Sequence, residues 1–100
     1  MVKQISPDEA DRLLQEKSVI IADVRDESSY QASHIPNAIH MSVALLQEFC
    51  ESAERDQAIL VYCYHGISSQ AVAQHLVEQG FTEVYSLIGG YELWKQHHKS

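Results

Sequence analysis

The chain is short of positive charge. Seven lysines and arginines face fourteen aspartates and glutamates in 100 residues, a formal net charge of −7. Nucleic acid and anionic membrane surfaces are recognised through a basic footprint, so neither is an expected partner. Long apolar runs are missing too. No stretch approaches the ~20 residues that a membrane-crossing helix needs, and Met1-Val2-Lys3-Gln4 carries no apolar signal region. The expected location is the cytoplasm. Cysteine is scarce, with only Cys50 and Cys63. Two cysteines make no disulfide scaffold in a chain long enough to bury roughly 65% of its unfolded surface. Cys63 and His65 stand close together, but no second pair at suitable spacing completes a zinc pattern. Neither a metal nor an organic cofactor is expected.

What is present reads as one α/β domain over residues 1–100. Ser6-Pro7-Asp8-Glu9 is a helix start with a capping box, and Ala10, Leu13 and Leu14 follow at helical spacing. Val19–Val24 is apolar on both faces, as in a strand buried from both sides. Asp26 can cap a short helix toward Tyr30 and Ala32, and His34-Ile35-Pro36-Asn37 is a turn. Ala38–Met41 is a short strand candidate, and Ser42 can cap a helix carrying Leu45, Leu46 and Phe49. A second buried strand spans Ala58–Cys63, and a helix from Ser69 to Gln79 ends at Gly80. Val84–Leu87 is a strand, Gly89-Gly90 a turn, and Tyr91–His97 a last helix that can dock through Leu93 and Trp94. Strands alternating with helices imply an open, mainly parallel central sheet flanked by helices on both faces. Ligands of such sheets bind beyond the carboxyl ends of the strands, where Cys63 falls.

Cys63-Tyr64-His65-Gly66-Ile67-Ser68-Ser69 joins that strand to that helix. A loop there can turn its backbone N–H groups inward, and with the positive end of the helix behind it such a nest binds anions. Gly66 permits a backbone conformation that other residues avoid, while Ser68 and Ser69 can cap the helix or donate hydroxyl hydrogen bonds. A thiol in that cradle is stabilised as thiolate, which suits a nucleophile attacking an anionic substrate. A buried cysteine used only for packing is the competing expectation.

This loop resembles the active-site loop of the rhodanese family of sulfurtransferases. Asp23-Val24-Arg25-Asp26, Tyr30 and His34-Ile35-Pro36-Asn37-Ala38 resemble that family's N-terminal signature, and Gly89-Gly90-Tyr91 with Trp94 its C-terminal one. The three occur in the family's order and span almost the whole chain. The resemblance implies that Cys63 takes a sulfane sulfur from thiosulfate, releases sulfite and holds a persulfide. An acceptor, cyanide or a thioredoxin-like dithiol, then removes the sulfur by double displacement. Tyr64, His65, Gly66, Ile67, Ser68 and Ser69 would line the anion. Many rhodanese loops carry an arginine or lysine in the cradle; here Tyr64 and Ser68 stand in those places, and only a protonated His65 could supply a cation. Backbone dipoles and hydroxyls are weaker than an arginine fork, so modest thiosulfate affinity is expected. Cysteine phosphatases of the dual-specificity type end a similar loop in arginine, and the sixth residue after Cys63 is Ser69. Phosphoryl transfer would lack its main stabiliser.

The remaining polar residues read as structural. Asp23 and Arg25 suit a buried ion pair, and His34 suits local backbone groups. His40 and His75 read as ordinary surface or edge residues, and His97 and His98 as solvated residues of a polar tail. Cys50 reads as core. Tyr64 and Ile67, if exposed, would form an apolar rim facing an acceptor protein.

Overall fold

The computed structural model describes residues 1–98. Five strands alternate with five helices: β1 (Lys3–Ile5), α1 (Pro7–Glu16), β2 (Val19–Asp23), α2 (Glu27–Ala32), β3 (Ile39–His40), α3 (Val43–Ser52), β4 (Ala58–Tyr62), α4 (Ser68–Glu78), β5 (Val84–Leu87) and α5 (Gly90–His97). The strands form one sheet in the order β1-β5-β4-β2-β3, and every neighbouring pair is parallel. The expected open parallel sheet is therefore the fold.

β4 lies at the sheet's centre and is buried at every position. Its side chains alternate between two cores. Ala58, Leu60 and Tyr62 pack with Ala10 of α1 and with Tyr91 and Trp94 of α5, while Ile59 and Val61 pack with Phe49 and Cys50 of α3 and with Ala73 and Leu76 of α4. Covering both faces is what allows the strand to lack a polar side. Each fully buried Leu or Ile contributes about 1.5–3 kcal/mol relative to exposure. Cys50 is core, as read from the sequence.

The caps follow the expected chemistry. Ser6 Oγ accepts the Glu9 N–H while the Glu9 carboxylate accepts the Ser6 N–H. Asp26 caps α2 and Ser42 caps α3 through side-chain oxygens. Most element ends shift by a residue from the sequence reading, and three differences go further. β1 pairs with β5 in the register Lys3↔Tyr85, though its residues hold a single buried position, Ile5. Chain order brings this edge strand to β5 from the far end of the sequence, so no local periodicity marks it. β4 stops at Tyr62, leaving Cys63 in the loop. Leu93 stays exposed, and Trp94 alone of that pair docks α5.

All five strands point the same way, so Asp23, Tyr62 and Leu87 end at one edge of the sheet. Cys63 emerges at that edge from the central strand.

Candidate active site

Cys63 is buried at the mouth of its loop, and its sulfur is surrounded by donors. The Gly66 N–H donates to Sγ at 3.1 Å. Ser69 Oγ lies 3.5 Å from Sγ and 3.0 Å from Ser86 Oγ. Ser69 and Ser86 are almost fully buried and hold each other in place behind the sulfur. In the thiol form Cys63 donates to Ser69; in the thiolate form the Ser69 hydroxyl turns and donates back. Burial by itself pushes the Cys63 thiol up. The Ser69 hydroxyl and the backbone N–H groups of Ser69, Gly66 and His65 together outweigh it and hold the thiol below the ordinary cysteine range.

The loop's shape comes from two glycines. Gly66 has φ +86°, in the left-handed region, and a Cβ there would lie 2.8 Å from the Gly89 nitrogen. Gly90 has φ +59°, and a Cβ there would lie 2.5 Å from the Cys63 oxygen. That closeness lets the start of α5 dock on the loop. The Tyr91 N–H donates to the Cys63 carbonyl at 2.8 Å, and the Glu92 N–H to the Tyr64 carbonyl at 3.1 Å. In a trans peptide the C=O and N–H point opposite ways. Drawing the Tyr64 carbonyl outward to α5 therefore turns the His65 N–H inward, toward the sulfur. The Gln70 side chain fastens the loop from the other side, donating to the Gly66 carbonyl at 2.7 Å.

A second network braces the neighbouring strand end. Asp23 accepts from Arg25 Nη2 at 2.8 Å, from the Arg25 backbone N–H at 2.8 Å and from the Tyr62 hydroxyl at 2.7 Å. Asp23 and Arg25 form the buried ion pair read from the sequence. Burial, then the Asp23 carboxylate, push the Tyr62 phenol far above its ordinary value, so it remains a donor. The Arg25 guanidinium lies 4.3 Å from the centre of the Tyr91 ring and also meets the Ser33 carbonyl. Arg25 is thus engaged from both sides and braces the first turn of α5.

The loop residues divide by role. His65, Gly66 and Ser69 supply donors to the sulfur. Ser68 and Ile67 do not. Ile67 stands at the N-cap position of α4 without a side-chain cap, and Ser68 opens the helix on the exposed side. Of the two roles open to Ser68 and Ser69, neither caps α4; Ser69 faces inward and takes the other, a hydroxyl hydrogen bond to Cys63. Tyr64 and Ile67 are 44% and 75% exposed and form the anticipated apolar rim. Among the histidines, His34 meets the Tyr30 carbonyl as expected. His40 lies on the edge strand β3, as the surface-or-edge reading allows, and its Nε2 lies 2.7 Å from the Arg25 carbonyl. His97 and His98 are exposed, as expected, and both meet Asp11. Ser86 and Gln70 escaped the sequence reading. A serine inside an otherwise apolar strand was the available signal for Ser86.

The match to the model of the rhodanese-like domain covers residues 6–97. The chain belongs to the rhodanese family. Among curated rhodaneses, it is 63% identical over 98 residues to the thiosulfate sulfurtransferase GlpE of Coxiella burnetii (strain RSA 331 / Henzerling II), covering 98% of this chain and 92% of that one. It is 49% identical over 85 residues to the protein of the same name from Vibrio cholerae serotype O1 (strain ATCC 39541 / Classical Ogawa 395 / O395), covering 85% and 80%. The solution structure of a rhodanese-like domain from Anabaena sp. superposes with a TM-score of 0.85 at 30% identity, covering 98% of this chain and 76% of that one. The three rhodanese signatures thus converge in space. The N-terminal one builds the Asp23–Arg25 brace, the central one the cysteine cradle, and the C-terminal one the helix start that docks on it.

Proposed function

We propose that the chain is a thiosulfate sulfurtransferase with Cys63 as its nucleophile. The observation that carries this reading is the buried Cys63 sulfur inside a ring of N–H and O–H donors that lowers its pKa. Identity of 63% to a protein named thiosulfate sulfurtransferase supports the choice of donor.

The Cys63 thiolate attacks the outer sulfur of thiosulfate. The bond between the two sulfurs of thiosulfate breaks, its electron pair leaves with sulfite, and Cys63 carries an anionic persulfide. In the second half a nucleophile attacks the terminal sulfur, and the electron pair returns to Cys63 as thiolate. Cyanide yields thiocyanate; an acceptor thiolate yields a new persulfide. Negative charge sits near the loop throughout, so the same donors serve both halves. Phosphoryl transfer is disfavoured, because Asp23 engages Arg25 and the cradle itself holds no arginine.

Cyanide is the simple acceptor. A thioredoxin-like dithiol protein is the physiological class that suits the exposed Tyr64 and Ile67 rim. Two free cysteines suit the reducing cytoplasm, and no helix among the described residues is long and apolar enough to cross a membrane. Steady-state thiocyanate formation tests the reading. Varying thiosulfate at several cyanide concentrations should give the parallel double-reciprocal lines of double displacement. Intersecting lines, or no thiocyanate, would overturn it.

A further inference from the structure

We infer that Asp8, Asp11, His97 and His98 form a binding site for a divalent cation of the zinc class. The first two residues lie one turn apart on α1, and the histidines end α5. His97 Nε2 lies 3.2 Å from an Asp8 oxygen and 3.5 Å from an Asp11 oxygen. His98 Nε2 lies 3.0 Å and 3.1 Å from the two Asp11 oxygens. One ligand atom each from Asp11, His97 and His98 can be chosen with all of them within 4.8 Å of one another.

Two features point to a cation. The first is the state of His98. Its Nδ1 lies 3.0 Å from the Trp94 carbonyl, and only an N–H can bond to a carbonyl oxygen. The ring also stacks on Trp94 with centroids 3.7 Å apart. Nδ1 is thus a donor, and Nε2 is the nitrogen that faces the Asp11 carboxylate, where either a proton or a metal ion can lie between them. A backbone carbonyl fixing one nitrogen while the other faces outward is the usual support of a metal-binding histidine. The second feature is spacing. The nitrogen–oxygen separations of 3.0–3.5 Å run from hydrogen-bond length to the edge of a zinc tetrahedron, about 3.4 Å for ligand bonds of about 2.1 Å, so an ion can replace a shared proton with little movement of the side chains.

The ligand set selects the metal class. Two imidazoles with carboxylates suit zinc, cobalt, nickel or copper, whereas magnesium and calcium prefer oxygen alone. The residues are partly exposed, so the ion exchanges readily. Bound, it ties the end of α5 to the first turns of α1. α5 is the helix whose N-terminus holds the Cys63 and Tyr64 carbonyls. Spacing along the chain concealed the site, because its halves lie at opposite ends of the sequence.

The test uses untagged Cys63→Ser protein, which removes the competing thiolate ligand. Titration calorimetry with zinc chloride should give one saturable equivalent, and the melting temperature should rise with zinc but not with magnesium. Asp11→Asn and His98→Gln, each added to Cys63→Ser, should weaken zinc binding at least tenfold while circular dichroism stays unchanged. Cobalt should give the visible absorption of a tetrahedral nitrogen–oxygen site. Absence of saturable binding, or binding unmoved by both substitutions, would overturn the site and leave only imidazolium–carboxylate pairs. Because Cys63 is absent from the test, failure would leave the sulfurtransferase reading untouched.

Discussion

Replacing Ser69 with alanine should raise the pKa of Cys63 by about one to two units. The reasoning is local. The hydroxyl is the strongest of the groups that lower this thiol, 3.5 Å from Sγ and buried where water does not replace it. A hydrogen bond to a charged group contributes about 1.5–3 kcal/mol, and one pKa unit corresponds to about 1.4 kcal/mol. The sign follows from the direction of the shift. A thiol whose pKa is lowered in the folded protein keeps its thiolate to lower pH, and it loses reactivity as pH falls through that pKa. Raising it moves the loss to higher pH. Nucleophilicity grows as basicity grows, by about threefold per unit, so the two effects oppose each other. Well below the pKa, the thiolate fraction falls tenfold per unit. The net rate there should drop about threefold to tenfold. On the high-pH plateau the variant should react faster than the parent. Iodoacetamide alkylation followed from acid to alkaline pH measures both limbs, with Cys50 buried and its own thiol pushed up by burial. An unchanged midpoint would refute the assignment of Ser69 as a donor to the thiolate. Unfolding by urea checks the structural cost, about 1–3 kcal/mol for Ser86 left without its partner.

Three further outcomes follow from the same geometry. Ser86→Ala should move the alkylation midpoint in the same direction but by less, because Ser86 acts through Ser69; a larger shift than in Ser69→Ala would contradict that order. Gly90→Ala puts a methyl 2.5 Å from the Cys63 oxygen and should lower kcat/KM by about a hundredfold through misplacement of the loop, read by thiocyanate formation. Asp23→Asn leaves Arg25 buried without its counter-charge and should cost about 3–5 kcal/mol, seen as a Tm fall of more than roughly 10 °C. A fall of only a few degrees would show that Arg25 finds other partners.

Much of this could be read from residues close together in the chain. The caps at Ser6, Asp26 and Ser42, the doubly buried β2 and β4, and the glycine-serine loop after Cys63 are local patterns with local causes. What stayed hidden depends on partners far along the chain. β1 is an edge strand defined by its pairing with β5. Gly90 looked like half of a turn, because the Cys63 carbonyl that requires its missing side chain comes from the central strand's loop. Ser86 is one polar residue in an apolar strand, and only the fold aims it at Ser69. His97 and His98 are exposed, as read, but their meeting with Asp8 and Asp11 stayed hidden because those residues come from the other end of the chain.

The central claim is that Cys63 carries the transferred sulfur. Intact mass spectrometry after incubation with thiosulfate tests it most directly, on the parent protein and on Cys63→Ser. The account predicts the gain of one sulfur atom on the parent, its removal by cyanide, and no gain on the variant. A parent that gains nothing, or a variant that gains the same mass, would contradict it.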